Sequence, residues 1–183
     1  MDNPPVLEPT RDGFDHINIY SRAATWLGRE ASNFARSRVE VPNHGVFESI
    51  EGYWYWLLSG CDELRTLSGV EAKTVGRQSI KQAPKPRPED FEDRIKTALR
   101  EKVKQNQGLQ RALRESTLPF THYYVMSDRR TGSKRVIDAN NHPWLLHEWE
   151  CIRAELRGEP KPEQPVQNSS DSEPKQDDQY DLF

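Results

Sequence analysis

Phe47-Glu48-Ser49-Ile50-Glu51-Gly52-Tyr53-Trp54-Tyr55-Trp56-Leu57-Leu58 is the stretch on which the fold of this chain turns. Read at helical spacing, Phe47, Ile50, Glu51, Trp54, Tyr55 and Leu58 share one face, and that face is apolar except for one carboxylate. Ser49 is placed to cap the first turn and Gly60 to end the last. A carboxylate inside an apolar stripe loses its hydration and must be protonated, hydrogen-bonded or paired. Glu51 is therefore a candidate acid, base or ligand anchor. The plainer alternative has it capping its own helix or pairing with an arginine.

Outward from this helix, short elements alternate. Upstream, Arg38-Val39-Glu40-Val41 reads as a strand, and Pro42-Asn43-His44-Gly45 supplies turn chemistry before the helix. His16-Ile17-Asn18-Ile19-Tyr20 reads as another strand with Ile17 and Ile19 inward. Residues 1–13, with three prolines and no periodicity, read as a loose arm. Downstream, a short helix is predicted over residues 63–74, with Leu64, Leu67 and Val70 as its apolar side and Gly76 ending it. Residues 78–88, carrying Pro84, Pro86 and Pro88, read as an exposed connection, with Pro88 as first residue of the next helix. Phe91, Ile95, Ala98, Leu99 and Val103 form its stripe, and Leu109, Ala112 and Leu113 continue helical spacing beyond Gly108. Arg94, Lys96, Arg100, Lys102 and Lys104 interleave with acids and read as a solvated face, not a nucleic-acid patch. Residues 120–126 alternate as a half-buried strand. The basic turn Asp128-Arg129-Arg130-Thr131-Gly132-Ser133-Lys134-Arg135 leads to a hairpin partner at Val136-Ile137. Pro143 starts a last helix with Leu145, Trp149, Ile152 and Leu156 on one side, ended by Gly158.

The expected fold class is α+β: a single, mostly helical domain over residues 14–158 with a few short strands. With 183 residues, 34% hydrophobic and 30% charged, the chain supports one modest core plus solvated segments. Its net charge of −3 gives no global attraction to nucleic acid or anionic membrane. No apolar run has transmembrane length and the N-terminus lacks the features of a signal peptide, so a cytoplasmic location is expected. Cys61 and Cys151 have no metal-type spacing and read as thiols in a reducing compartment. There is no phosphate-binding P-loop, Rossmann glycine pattern or GxSxG elbow, and no metal or cofactor is expected.

Several local patterns fall in one order: Ile17-Asn18-Ile19-Tyr20-Ser21, Ala31-Ser32-Asn33-Phe34, Phe47 to Tyr53, Ala72-Lys73-Thr74-Val75-Gly76-Arg77, and the helix over residues 141–156 with Ile152-Arg153 near its end. Together they resemble the NADAR superfamily (YbiA-like, riboflavin-biosynthesis-associated). Its members carry an I-x-F-Y strand, an L-S-N-F segment, an S/V-E-H-x-Y helix and an A-K/R-x-x-G-R element. The resemblance spans the domain and not the tail. It implies N-glycosidase chemistry, on phosphorylated ribosylamino intermediates of riboflavin synthesis or on ADP-ribosylated guanine in DNA. By motif, Glu51 takes the place of the family glutamate. Asn33 matches the asparagine of S-N-F, and Lys73 and Arg77 the basic positions of the glycine element. Asn141 corresponds to the asparagine opening the last helix and Asp138 to an acid in the loop before it. Three departures stand out: Gly52 replaces the family histidine, Leu58 replaces a lysine on the same face, and the late Y-W-G is missing, with His122-Tyr123-Tyr124 in a related region.

These assignments agree with the chemistry of a ribosyl C–N bond, whose cleavage develops oxocarbenium character on the sugar and negative charge on the leaving base. Glu51 fits the catalytic carboxylate. Each other residue keeps a plainer reading: Asn33 as a turn residue, Lys73 and Arg77 as surface charges, Trp54 and Tyr55 as core and not base-stacking rings, His122 as a satisfied strand histidine. The alternative to an enzyme is a module that binds ADP-ribose or a modified nucleotide without cleaving it, or a clamp-binding adaptor.

Beyond Gly158 the composition turns to Pro, Gln, Ser, Asp, Glu and Lys, too polar to offset the entropy of ordering, so a disordered linker is expected over residues 159–178. The chain then ends in Gln179-Tyr180-Asp181-Leu182-Phe183. This resembles the Q-L-S/D-L-F pentapeptide that binds the bacterial DNA polymerase sliding clamp, with Tyr180 in place of leucine. The resemblance implies that Gln179, Leu182 and Phe183 contact the clamp, which would bring an acidic protein to DNA.

Overall fold

The computed structural model describes residues 8–163 apart from residues 128, 129, 132, 133 and 140. Pro9–Arg11 make one 3-10 turn, and the Asp12 carboxylate accepts the N–H groups of Asn18 (3.0 Å) and Ala24 (2.7 Å). Residues 8–13 of the expected loose arm are thus tied to the domain by a side chain that satisfies two backbone donors. Then follow β1 (Ile17–Asn18), α1 (Trp26–Ala31), β2 (Val39–Val41), β3 (Gly45–Phe47), α2 (Ile50–Ser59), a 3-10 turn (Asp62–Thr66), α3 (Gly69–Gln82), α4 (Phe91–Gln105) and α5 (Gln107–Glu115). The chain closes with β4 (Phe120–Thr121), β5 (Tyr123–Ser127), β6 (Lys134–Asp138) and α6 (Pro143–Arg157). This is the expected α+β class, mostly helical with a few short strands. None of the described helices is long and apolar enough to cross a membrane.

Among the described residues the strands form three two-stranded sheets: β1 with β4 in parallel, β2 with β3 and β5 with β6 antiparallel. The strand expected over residues 120–126 is broken at His122 because its two halves pair with different partners. At the break the Asn18 side chain substitutes for backbone: it donates to Tyr123 O and accepts the Tyr123 N–H, both at 3.0 Å. Phe47 belongs to β3 and not to the central helix. Asn43 and Gly45, with φ of 63° and 82°, reverse the chain so that Phe47 pairs with Val39. The helix starts only after Ser49, whose Oγ accepts the Gly52 N–H. Gly60 ends it in the left-handed region, as expected.

The segment after α2 departs most from expectation. Residues 62–66 form a 3-10 turn that buries Leu64, and α3 then runs through Gly76 to Gln82, shortening the expected connection. Val70, expected on the apolar side, is 63% exposed. Gly76 does not end the helix because it makes room for another: a Cβ there would lie 2.1 Å from Tyr55 Cγ. Pro88 precedes α4 instead of opening it, since its carbonyl accepts the Phe91 N–H in a separate turn.

The core gathers on α4. Phe91, Ile95, Ala98, Leu99 and Val103 are buried as expected, against β2, α2, α5 and α6. Each such side chain contributes about 1.5–3 kcal/mol on burial. Lys102, expected on the solvated face, is 1% exposed. It recurs seven residues after Ile95 and four after Ala98, so helical geometry turns it inward with them. Pro143 and Gly158 bound α6 as expected, and Trp149 and Ile152 fill its inner side.

Candidate functional site

Ser49 builds the site from its base. It caps α2 while its hydroxyl donates to Leu67 O at 2.9 Å, tying the helix start to the chain that leads into α3. Glu51 is then the second residue of α2, where a backbone N–H has no partner inside the helix. That N–H donates to Asn33 O at 2.9 Å, so Asn33 meets the site through its carbonyl. The Glu51 side chain is buried, 9% exposed. Burial pushes its carboxyl up to about 7, against the opposing pull of Lys73 and Arg77. Of the residues singled out in the sequence, the structure thus brings Glu51, Asn33, Lys73 and Arg77 together.

The close approach of α2 and α3 makes that grouping. Tyr55 lies on Gly76, so Lys73, three residues before the glycine, and Arg77, one after it, come within electrostatic reach of Glu51. Burial lowers the Lys73 pKa, opposed by the nearby Glu51. Its Nζ sits 5.6 Å from the centre of the Phe34 ring. Gly52, where the family pattern has histidine, is forced by packing: a Cβ there would fall 2.3 Å from Leu64 O. Leu58, in place of the family lysine, packs half-buried against the core.

Trp54 faces elsewhere. Its ring meets Phe91 edge-on (4.8 Å between centres), lies parallel to Trp144 (6.1 Å, 5°) and is 5.2 Å from the His142 ring. It therefore joins α2 to the start of α6, next to the exposed Asn141. Asp138 is exposed at the end of β6, paired in register with Tyr123. His122 donates from Nδ1 to Ile19 O at 2.6 Å, leaving Nε2 as the acceptor toward Tyr124 OH (3.4 Å). Burial lowers its pKa, opposed by its bond to Ile19 and by Asp138, with His142 adding to the fall. The hairpin root therefore holds Asp138 and His142 each within electrostatic reach of His122. Gln179, Leu182 and Phe183 lie outside the described residues.

One supporting residue was missed in the sequence. Lys102 Nζ donates to Glu30 O (2.5 Å) and Ser32 O (3.2 Å), the carbonyls that lead directly into Asn33. Burial pushes this ammonium down to about 8. Its signal was present as a basic residue at the spacing of an apolar stripe. Among the described residues no three His, Cys, Asp or Glu side chains are grouped to hold a metal ion.

No family model and no curated protein sequence matches the chain. The NMR structure of the E. coli protein YbiA does match it, over 79% of this chain and 83% of that one, at 20% identity and a TM-score of 0.52. At that identity the likeness speaks for architecture, and the chain has a YbiA-like α+β fold.

Proposed function

We propose that this protein is an N-glycosidase that hydrolyses the bond between a ribosyl C1′ and a nucleobase nitrogen, with ADP-ribosylated guanine in DNA as the leading substrate. The observation that carries the reading is Glu51: a buried carboxyl that titrates near 7 within electrostatic reach of two cations, in a YbiA-like fold. Such a group can take or give a proton at physiological pH. In the reaction the C1′–N bond breaks with its electrons left on the base, which takes a proton from solvent. Water adds to C1′ and loses its proton to the Glu51 carboxylate. Lys73 and Arg77 hold substrate phosphate. Trp54, Asp138 and Asn141 bind the remainder of the substrate from the α6 side. Incubation with an ADP-ribosylated oligonucleotide should release ADP-ribose, and Glu51→Gln should abolish the release. Turnover unchanged in that variant removes Glu51 from its role. Hydrolysis of a ribosylaminopyrimidine phosphate alone keeps the reaction and changes the substrate.

A second reading, a module that binds ADP-ribose without cleaving it, is favoured by one observation: Leu58 packs on the core where the family pattern has a lysine. Saturable binding without turnover would select it. We also propose that the C-terminal pentapeptide tethers the domain to the sliding clamp through Gln179, Leu182 and Phe183. A linker of about 20 residues spans about 25 Å on average, enough for the domain to work beside a bound clamp. A fluorescent peptide covering residues 171–183 should bind clamp with an affinity on the order of micromolar. Binding indifferent to Leu182→Ala with Phe183→Ala refutes the tether.

A further inference from the structure

A cleft of about 240 Å³ is lined by Ser21, Trp26, Arg29, Glu30, Phe34 and Ala35. Phe34 links this cleft to the site: it is among the lining residues, and its ring centre lies 5.6 Å from Lys73 Nζ, which acts on Glu51. The Trp26 side chain is the unusual member. It remains 48% exposed, although burying an indole is among the largest apolar gains open to a folding chain. One edge of the indole rests on the start of α5, where a Cβ added to Gly108 would be 3.6 Å from Trp26 Cη2. The surroundings are fixed without any ligand. Arg29 donates to the carbonyls of Ala23 and Ala24, both at 2.8 Å, and Glu30 accepts from Asn106 Nδ2 at 3.0 Å. Lys102 holds the backbone of residues 30–32 from beneath.

We propose that the cleft between Trp26 and Phe34 is a subsite for a second planar ring of the ligand, the nucleobase at the far end of a dinucleotide-like substrate. The volume suits one ring system and not a whole ligand, since complete small-molecule pockets run to about 300–1,000 Å³. Two aromatic side chains with a cationic guanidinium in the lining are what base stacking uses, and stacking tolerates any base because every base has a π-face. Phe34, which lines the cleft, sets it next to Lys73, one of the cations proposed to hold phosphate. The inference rests on the N-glycosidase reading for its choice of ligand.

Two measurements on the full chain keep the two ideas separable. In the first, AMP is titrated while the Trp26 indole N–H resonance, identified by its loss in Trp26→Ala, is followed by NMR. A saturable shift is expected, and a resonance that does not respond to AMP overturns the subsite whatever the catalytic result. In the second, ADP-ribose and ribose 5-phosphate are titrated calorimetrically into wild type, Trp26→Ala and Trp26→Phe. Trp26→Ala should weaken ADP-ribose about 5- to 150-fold. It should leave ribose 5-phosphate unchanged, and Trp26→Phe should restore most of the loss. Equal weakening of both ligands, or of neither, refutes the proposal. Absence of turnover with the AMP shift intact counts against the glycosidase and not against the subsite.

Discussion

Replacing Glu51 with glutamine should make this protein more stable, and increasingly so as pH rises. The substitution keeps the shape of the side chain and removes its titration. In the folded protein the carboxyl titrates at about 7, against 4.5 when exposed. Folding therefore favours its protonated form. The stability this provides is complete below about pH 4.5 and is lost as pH rises through 7. At 1.36 kcal/mol per pH unit, the loss amounts to about 3 kcal/mol. Wild type and Glu51→Gln should match near pH 4 and separate by up to about 3 kcal/mol at pH 8, the variant being the more stable. For a domain of this size that corresponds to roughly 6–12 °C in Tm. Urea unfolding followed by tryptophan fluorescence at intervals from pH 4 to 8.5 measures it, and the difference between the two proteins cancels every group they share. A difference that does not vary with pH, or a variant that loses stability at pH 8, would refute the assignment of Glu51 as a desolvated carboxyl. A stability gain joined to loss of turnover would mark a residue kept for function at a cost to folding.

Gly76→Ala drives a methyl group into the Tyr55 ring and should cost about 1–3 kcal/mol in urea unfolding, whereas a neutral result would mean that α2 and α3 do not touch there. Lys102→Met removes an ammonium whose pKa burial lowers from 10.5 to about 8, so wild type should gain about 3 kcal/mol on the variant between pH 8 and 10.5. Parallel stability curves over that range would refute the buried charge.

The central helix was legible because cap and stop agree, Ser49 and Gly60 marking its ends, whereas its expected stripe began too early at Phe47 and missed the buried Tyr53 and Leu57. The α4 stripe and the Pro143–Gly158 limits of α6 were legible too. What periodicity could not show was which helix packs on which. Gly76 reads as a stop in isolation and proves to be a contact, because only the partner ring of Tyr55 explains a mid-helix glycine. Phe47 continued the spacing of α2 so well that its strand was hidden, and the deciding signal lay in Asn43 and Gly45 and not in Phe47 itself. The separation of β4 from β5 depends on partners about a hundred residues apart, which no local pattern records. At the site, Glu51 announced itself as a carboxylate in an apolar face. The burial of Lys102 was overlooked because basic residues between acids usually face water.

The parallel pairing of β1 with β4 constrains how the molecule comes into being. Ile17 pairs with Phe120, which is made about a hundred residues later. At ribosomal rates of about 5–20 residues per second, roughly 100 intervening residues represent about 5–20 s. Contacts among Asn33, Glu51, Lys73 and Tyr55 need only the first eighty residues or so, and helix pairs close in sequence form quickly. The surroundings of Glu51 can therefore condense on the nascent chain while β1 still awaits β4 and the Asn18 side chain awaits Tyr123. Mutations at the β1–β4 seam should accordingly slow completion of folding more than they disturb those surroundings, leaving a half-finished molecule whose chemistry-bearing part is already in place.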